Sequence, residues 1–254
     1  MLGAIIGDVA GSPYEFDNYT REDFEFFGEG SFFTDDTVMT VATAKAILSD
    51  RNYGKAYHAY GNRFPHCSYG GMFREWLGSK NPKPYWSYGN GAAMRVAPIG
   101  YAFHSLEETL AQAEASASPT HNHPEGIASA RAIAEAIFLL RTQKISQKEV
   151  AGHLTDRYGY RIELDLDRAR ANNRYSETAI ACVPVAVTAF ANSVSLEDCV
   201  RKAVSLGGDS DTIAAIAGGL AEACFGIPEE LKRQVSGYLP DEFLSLIQAF
   251  YSKK

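Results

Sequence analysis

Along most of the chain apolar residues return every three or four positions, the period of a helix, and few stretches show the strict alternation of a half-buried strand. The pattern predicts helices over Val38–Leu48, Leu106–Ala117, Glu125–Leu140, Glu177–Ala191, Leu196–Val204, Thr212–Cys224 and Asp241–Tyr251. Glycine, proline, serine, asparagine and aspartate fill the joints between them, as helix ends require. Two of these segments are small or apolar on more than one side: Ile213–Ala221 has almost no polar face, and Ser129–Ile137 is rich in alanine. Such helices belong at the centre of a bundle, where small side chains let backbones approach and more polar helices pack around them.

Composition leaves that picture undivided. The 254 residues are 46% apolar and 22% charged, and no linker or charge block separates two halves, so a single domain over residues 1–254 is expected. A net charge of −7 without a polybasic cluster argues against a nucleic-acid backbone as partner; nucleic acid would enter only as a modified substrate. An anionic small ligand would have to be held locally, by backbone N–H groups or metal ions, because the field of the whole chain repels it. The apolar opening Met1–Ile6 lacks a basic flank and is cut short by Asp8, so it reads as neither signal peptide nor membrane span, and a cytoplasmic location is expected. Cys67, Cys182, Cys199 and Cys224 have no C-x-x-C spacing and read as reduced core thiols.

One acidic pattern occurs twice, each time just before an apolar helix: Thr34-Asp35-Asp36-Thr37 and Asp209-Ser210-Asp211-Thr212. Capping a helix employs one side-chain oxygen, or two in a capping box, so two carboxylates and a hydroxyl within four residues exceed what a cap needs. If the two helix starts face each other, four carboxylates share a small volume and repel unless cations lie between them. Oxygen-only ligands suit Mg²⁺ or Mn²⁺ and not zinc. Glu15, presented after the Gly11-Ser12-Pro13 turn, would make a fifth carboxylate, a charge that two divalent ions nearly balance.

Two loops offer ligand contacts. Ser87-Tyr88-Gly89-Asn90-Gly91 leads into the apolar Ala92–Pro98; it is either a plain Asn-Gly turn or a phosphate cradle at a helix start, with Tyr88 able to stack on a base. Thr120-His121-Asn122-His123-Pro124 precedes the helix carrying Arg131, and its His121 either contacts ligand or caps. The remaining histidines, His58, His66, His104 and His153, read as surface or packing residues.

Together these segments resemble the ADP-ribosylglycohydrolase family, in a motif series that keeps the family's order from Gly3 to about Pro228. The most specific stretch is Ala203–Gly219, which contains Gly207-Gly208-Asp209-Ser210-Asp211-Thr212. The resemblance implies an all-α fold, a compact orthogonal multi-helix bundle, with two Mg²⁺ or Mn²⁺ ions. It implies a hydrolase that cleaves the C1″ glycosidic linkage of ADP-ribose attached to a protein side chain or other acceptor, releasing ADP-ribose. By motif match, Thr34, Asp35 and Asp36 would ligate one ion and Asp209, Asp211 and Thr212 the other, with Asp211 placed to touch both. Glu15 matches the family's mobile glutamate near the metals, Ser87, Gly89, Asn90 and Gly91 its diphosphate loop, Tyr88 an adenosine-stacking position and His121 a ligand-contacting histidine. The chain is shorter than many members and its Lys45–Trp86 region is compact, which leaves the acceptor open.

Breaking a C1″ bond builds oxocarbenium-like charge on the ribose. The expected chemistry has the ions hold the 2″ and 3″ hydroxyls and orient a water, whose proton goes to Glu15 or to a metal-bound aspartate, Asp35 or Asp36. Two other readings compete. A metal-dependent phosphohydrolase of the haloacid-dehalogenase kind needs its Asp-x-Asp after a strand, whereas Asp209-Ser210-Asp211 follows a helix and Gly-Gly; a terpenoid synthase needs further aspartates after Asp35-Asp36. A non-catalytic ADP-ribose-binding or structural member of the same fold is the other, and retention of every proposed ligand together with Glu15 weighs against it.

Overall fold

In the computed structural model, which describes residues 1–253, the helical period is realised throughout, with fifteen α-helices, one 3₁₀ turn at Ser12–Tyr14 and no sheet among the described residues. The first are α1 (Leu2–Gly11), α2 (Asp35–Leu48), α3 (Tyr53–Arg63), α4 (Gly71–Gly78) and α5 (Gly91–Met94). Then come α6 (Ala97–Ala102), α7 (Leu106–Ala117), α8 (Pro124–Gln143), α9 (Gln147–Tyr158) and α10 (Leu166–Asn172). The remaining five are α11 (Ala179–Ala191), α12 (Leu196–Ser205), α13 (Ser210–Phe225), α14 (Glu229–Ser236) and α15 (Asp241–Ser252).

The centre is built on α1 and α13. Every residue of α1 is buried, as is α13 from Ser210 to Glu222. Their contact is backbone on backbone: a Cβ at Gly7 would lie 2.0 Å from the Ala214 carbonyl oxygen, and one at Gly218 would lie 2.2 Å from that of Gly3. Glycine is demanded here by close approach, since any side chain would force the helices apart. The same approach sets Gly11 against the Asp211 backbone, so the acidic start of α13 lies beside the stretch of α1 that carries Asp8. At the far end the buried Glu222 carboxylate accepts hydrogen bonds from the Met1 amine, the Gly3 amide (2.8 Å) and the Tyr251 hydroxyl. Gly7→Ala is therefore expected to destabilise the protein by about 3 kcal/mol and lower Tm by roughly 5–10 °C. An unchanged Tm in thermal unfolding would show that the two helices part freely.

Two expectations shift. The helix predicted from Glu177 starts at Ala179, because the preceding residues pair with the loop before α5: Gly89 and Thr178 form an antiparallel bridge and the Asn90 amide donates to the Glu177 carbonyl at 2.8 Å. Of the four free cysteines only Cys182 and Cys199 lie in the core; Cys67 is half-buried, and Cys224 is exposed because α13 leaves the core over its last turn. His153 packs as expected, bonding through Nε2 to the buried Glu135 of α8 at 3.0 Å. No helix among the described residues is long and apolar enough to cross a membrane.

Candidate metal centre and ligand pocket

The start of α2 is capped without spending either of its aspartates. Thr34 Oγ1 accepts the Asp36 amide at 3.2 Å and donates to Asp8 Oδ1 at 2.7 Å, while Asp8 Oδ2 accepts the amides of Thr34 and Thr37, both at 3.0 Å. The carboxylates of Asp35 and Asp36 are thus free of capping duty. At the start of α13 the N-cap Asp209 makes no capping bond and instead accepts the side-chain amide of Asn90 at 2.6 Å. The two helix starts meet directly, Thr212 Oγ1 donating to Asp36 Oδ2 at 3.2 Å.

Carboxylate oxygens of Asp8, Asp36 and Asp211 lie within 4.8 Å of one another, and so do those of Glu15, Asp209 and Asp211. Asp211 belongs to both groups. Asp35 stands outside them, half-buried on the pocket wall, and Thr34 lies buried behind, on Asp8. Burial dominates the electrostatics. It raises Asp8 to about 6 against the bonds from Thr34 and Thr37, and it raises Asp35 to about 7 with help from the charges of Asp8 and Asp209. Burial and then repulsion from Asp209 and Asp35 push Glu15 up to about 8. Asp36 and Asp211 rise well above the ordinary carboxylate range, again through burial and then their acidic neighbours, and burial raises Asp209 as well. Asp36 Oδ1 is buried without a hydrogen-bond partner among the described residues. An orphaned oxygen within an all-oxygen, mutually repelling set fits a hard divalent cation.

These carboxylates are harder to ionise in the folded chain than in the unfolded one, so they favour the cation-free fold below about pH 4. That contribution is lost as pH rises through the values of about 6, 7 and 8 at Asp8, Asp35 and Glu15. Mg²⁺ is expected to raise Tm more at about pH 8 than at about pH 5, where it competes with protons for the same oxygens. Equal Mg²⁺-induced shifts at the two pH values in scanning calorimetry would contradict a carboxylate-bound ion.

Above the carboxylates a pocket of about 860 Å³ opens to solvent, and Glu15, Ser87, Gly89, Asn90, Gly91, His121 and Thr212 all reach its wall. Tyr88 does not; its ring is 52% exposed and lies edge-on to His123 at 5.5 Å. The expected helix after the glycine loop is a single turn, α5, and two of the loop amides are spent internally, Gly89 on Ser87 Oγ (3.1 Å) and Asn90 on Glu177. A cradle formed by the whole loop is thereby reduced. Gly91 serves another purpose, since a Cβ there would lie 2.8 Å from His121 Nε2. Arg95 donates to Thr120 Oγ1 at 2.8 Å and Thr120 Oγ1 is hydrogen-bonded to His121 Nδ1 at 2.7 Å, so Nε2 is the ring nitrogen left for a ligand. Burial, with the Arg95 charge, holds the His121 pKa well below its ordinary value and the ring neutral. Sequence reasoning missed Asp8 and the wall residues Glu177, Tyr175, Tyr85 and Phe73.

A family model described as ADP-ribosylglycohydrolase matches residues 1–254. The human ADP-ribosylhydrolase ARH3 is 27% identical over 96% of this chain and 90% of its own length. The ADP-ribosylarginine hydrolase Tri1 of Pseudomonas putida is 26% identical over 89% of this chain and 70% of its own. A solved structure titled ADP-ribosylglycohydrolase-related protein complex superposes with a TM-score of 0.74 at 24% identity, covering 99% of this chain and 95% of that one.

Proposed function

Because this chain belongs to the ADP-ribosylglycohydrolase family, we propose that it hydrolyses the C1″ linkage between ADP-ribose and an acceptor with the help of two divalent ions, Mg²⁺ or Mn²⁺. The observation that carries this reading is the junction of the two acidic helix starts around Asp211, which gives two overlapping groups of carboxylate oxygens in one pocket. Hydrolase relatives over nearly the whole chain favour it over a phosphohydrolase or a non-catalytic binder.

Asp8, Asp36, Asp209 and Asp211 would hold the ions, with Asp35 and Thr212 beside them at the pocket face and Thr34 fixing Asp8 from behind. Divalent ions, when bound, supply the positive charge that orients the ribose hydroxyls and activates a water. Asn90 fixes Asp209, and Glu15 takes the proton of the attacking water. Its half-burial among acidic neighbours raises its affinity for that proton. His121 Nε2 and the Ser87–Gly91 loop would position the diphosphate, and Tyr88 would offer the adenosine a ring at the rim.

The test is a panel of acceptors carrying ADP-ribose on arginine, serine or a nucleic-acid base. Free ADP-ribose is expected from at least one, lost on chelation and restored by Mg²⁺ or Mn²⁺. Release that ignores the chelator would overturn the metal dependence, and ADP-ribose binding without product from any acceptor would favour the non-catalytic reading.

A further inference from the structure

The wall that carries Phe73 and Tyr85 into the reaction pocket has a second face. On that side α4 turns Trp76, and the following strap turns Pro82 and Pro84, into a separate solvent-open groove, bounded by α3 and Pro119. Phe73 and Trp76 stack at 5.4 Å with 23° between their planes, so two stacked rings, one lining each side, divide groove from pocket. The groove floor is firm: Trp76 is 5% exposed, lies edge-on to His58 at 5.6 Å, and His58 Nε2 is tied to the Ser79 carbonyl at 3.2 Å. Three prolines fix the rim.

Charge sets this groove apart from the rest of the molecule. Acidic residues outnumber basic ones 31 to 24 over the chain, yet the groove is lined by Lys55, Lys80 and His58 and by no carboxylate. Lys55 is 75% exposed and, among the described residues, reaches its only ion-pair partner, Asp50, at 3.8 Å, which leaves its charge largely available to a ligand. A rigid aromatic and proline surface takes an extended peptide with little reorganisation, and the lysines select for acid.

We propose that this groove docks an extended acidic segment of the polypeptide whose ADP-ribosylated side chain enters the neighbouring pocket, with carboxylates of the segment meeting Lys55 and Lys80. The assignment rests on the hydrolase reading above for its second half, and the test separates the two. Peptides ADP-ribosylated on one side chain and flanked by glutamates or by neutral residues are compared with an ADP-ribosylated single amino acid, using the parent and a Lys55→Glu/Lys80→Glu variant. The acidic peptide is expected to show a KM about fivefold below the neutral one, a gap that closes at high salt and in the variant. The single amino acid is expected to turn over alike in both proteins. Equal KM values for the two peptides, or a gap that survives in the variant, would overturn the proposal. Fluorescence anisotropy of the acidic peptide without ADP-ribose reads the groove alone. Binding to the parent and not to the variant upholds the docking surface even if every substrate proves inert, an outcome that would sink only the activity.

Discussion

Asp211→Asn is expected to abolish divalent-ion binding and to cut ADP-ribose release by about 10³-fold or more. Asp211 is the residue common to both groups of carboxylate oxygens, so losing one of its charged oxygens weakens both at once. The substitution keeps the volume of a buried side chain and removes a charge that its neighbours repel. The fold is therefore retained, and the cation-free Tm rises if it changes. That combination, a steadier protein without metal or activity, separates a ligand from a merely structural aspartate. Titration calorimetry with Mn²⁺ beside turnover at saturating Mg²⁺ reads it, and an unaltered isotherm with normal turnover would remove Asp211 from the site.

Glu15→Gln is expected to give the opposite pairing, with ion binding kept and kcat reduced by about 10²–10⁴-fold, the usual worth of a general base. Glu15 belongs to one oxygen group only, sits half-buried on the turn after α1, and lines the pocket. Its own proton affinity, raised to about 8, comes from burial and then from the acids below it. Glutamine preserves the shape and loses the proton acceptor, so KM should move little while kcat falls. A normal kcat would assign the proton transfer elsewhere, to Asp35 first, and a loss of ions as complete as that in Asp211→Asn would make Glu15 a ligand instead.

The helices that were legible in the sequence are those with a wide apolar face. Val38–Leu48, Ser129–Ile137 and Ile213–Ala221 announce themselves because they lie in or beside the core. α10 and α14 are only 7 and 8 residues long, bury only Ala169 and only Leu231 and Val235 respectively, and are otherwise mostly charged or polar, so each reads as a solvated connection. The acidic helix starts were legible because they carry more oxygen than caps use. Asp8 was not, since a single acid in an apolar opening reads as the end of a hydrophobic run; the missing cue was that no nearby residue could pair with it at full burial. Glu177 was hidden for a different reason. Its place on the pocket wall depends on an antiparallel bridge between residues far apart in sequence, which no local pattern encodes.

The most direct measurement is an anomalous difference map from crystals grown in Mn²⁺ and recorded at the manganese edge. Two peaks within the carboxylate cluster, both in contact with Asp211, are expected. A cluster without anomalous density at a saturating Mn²⁺ concentration would contradict the binuclear site and, with it, the proposed hydrolysis.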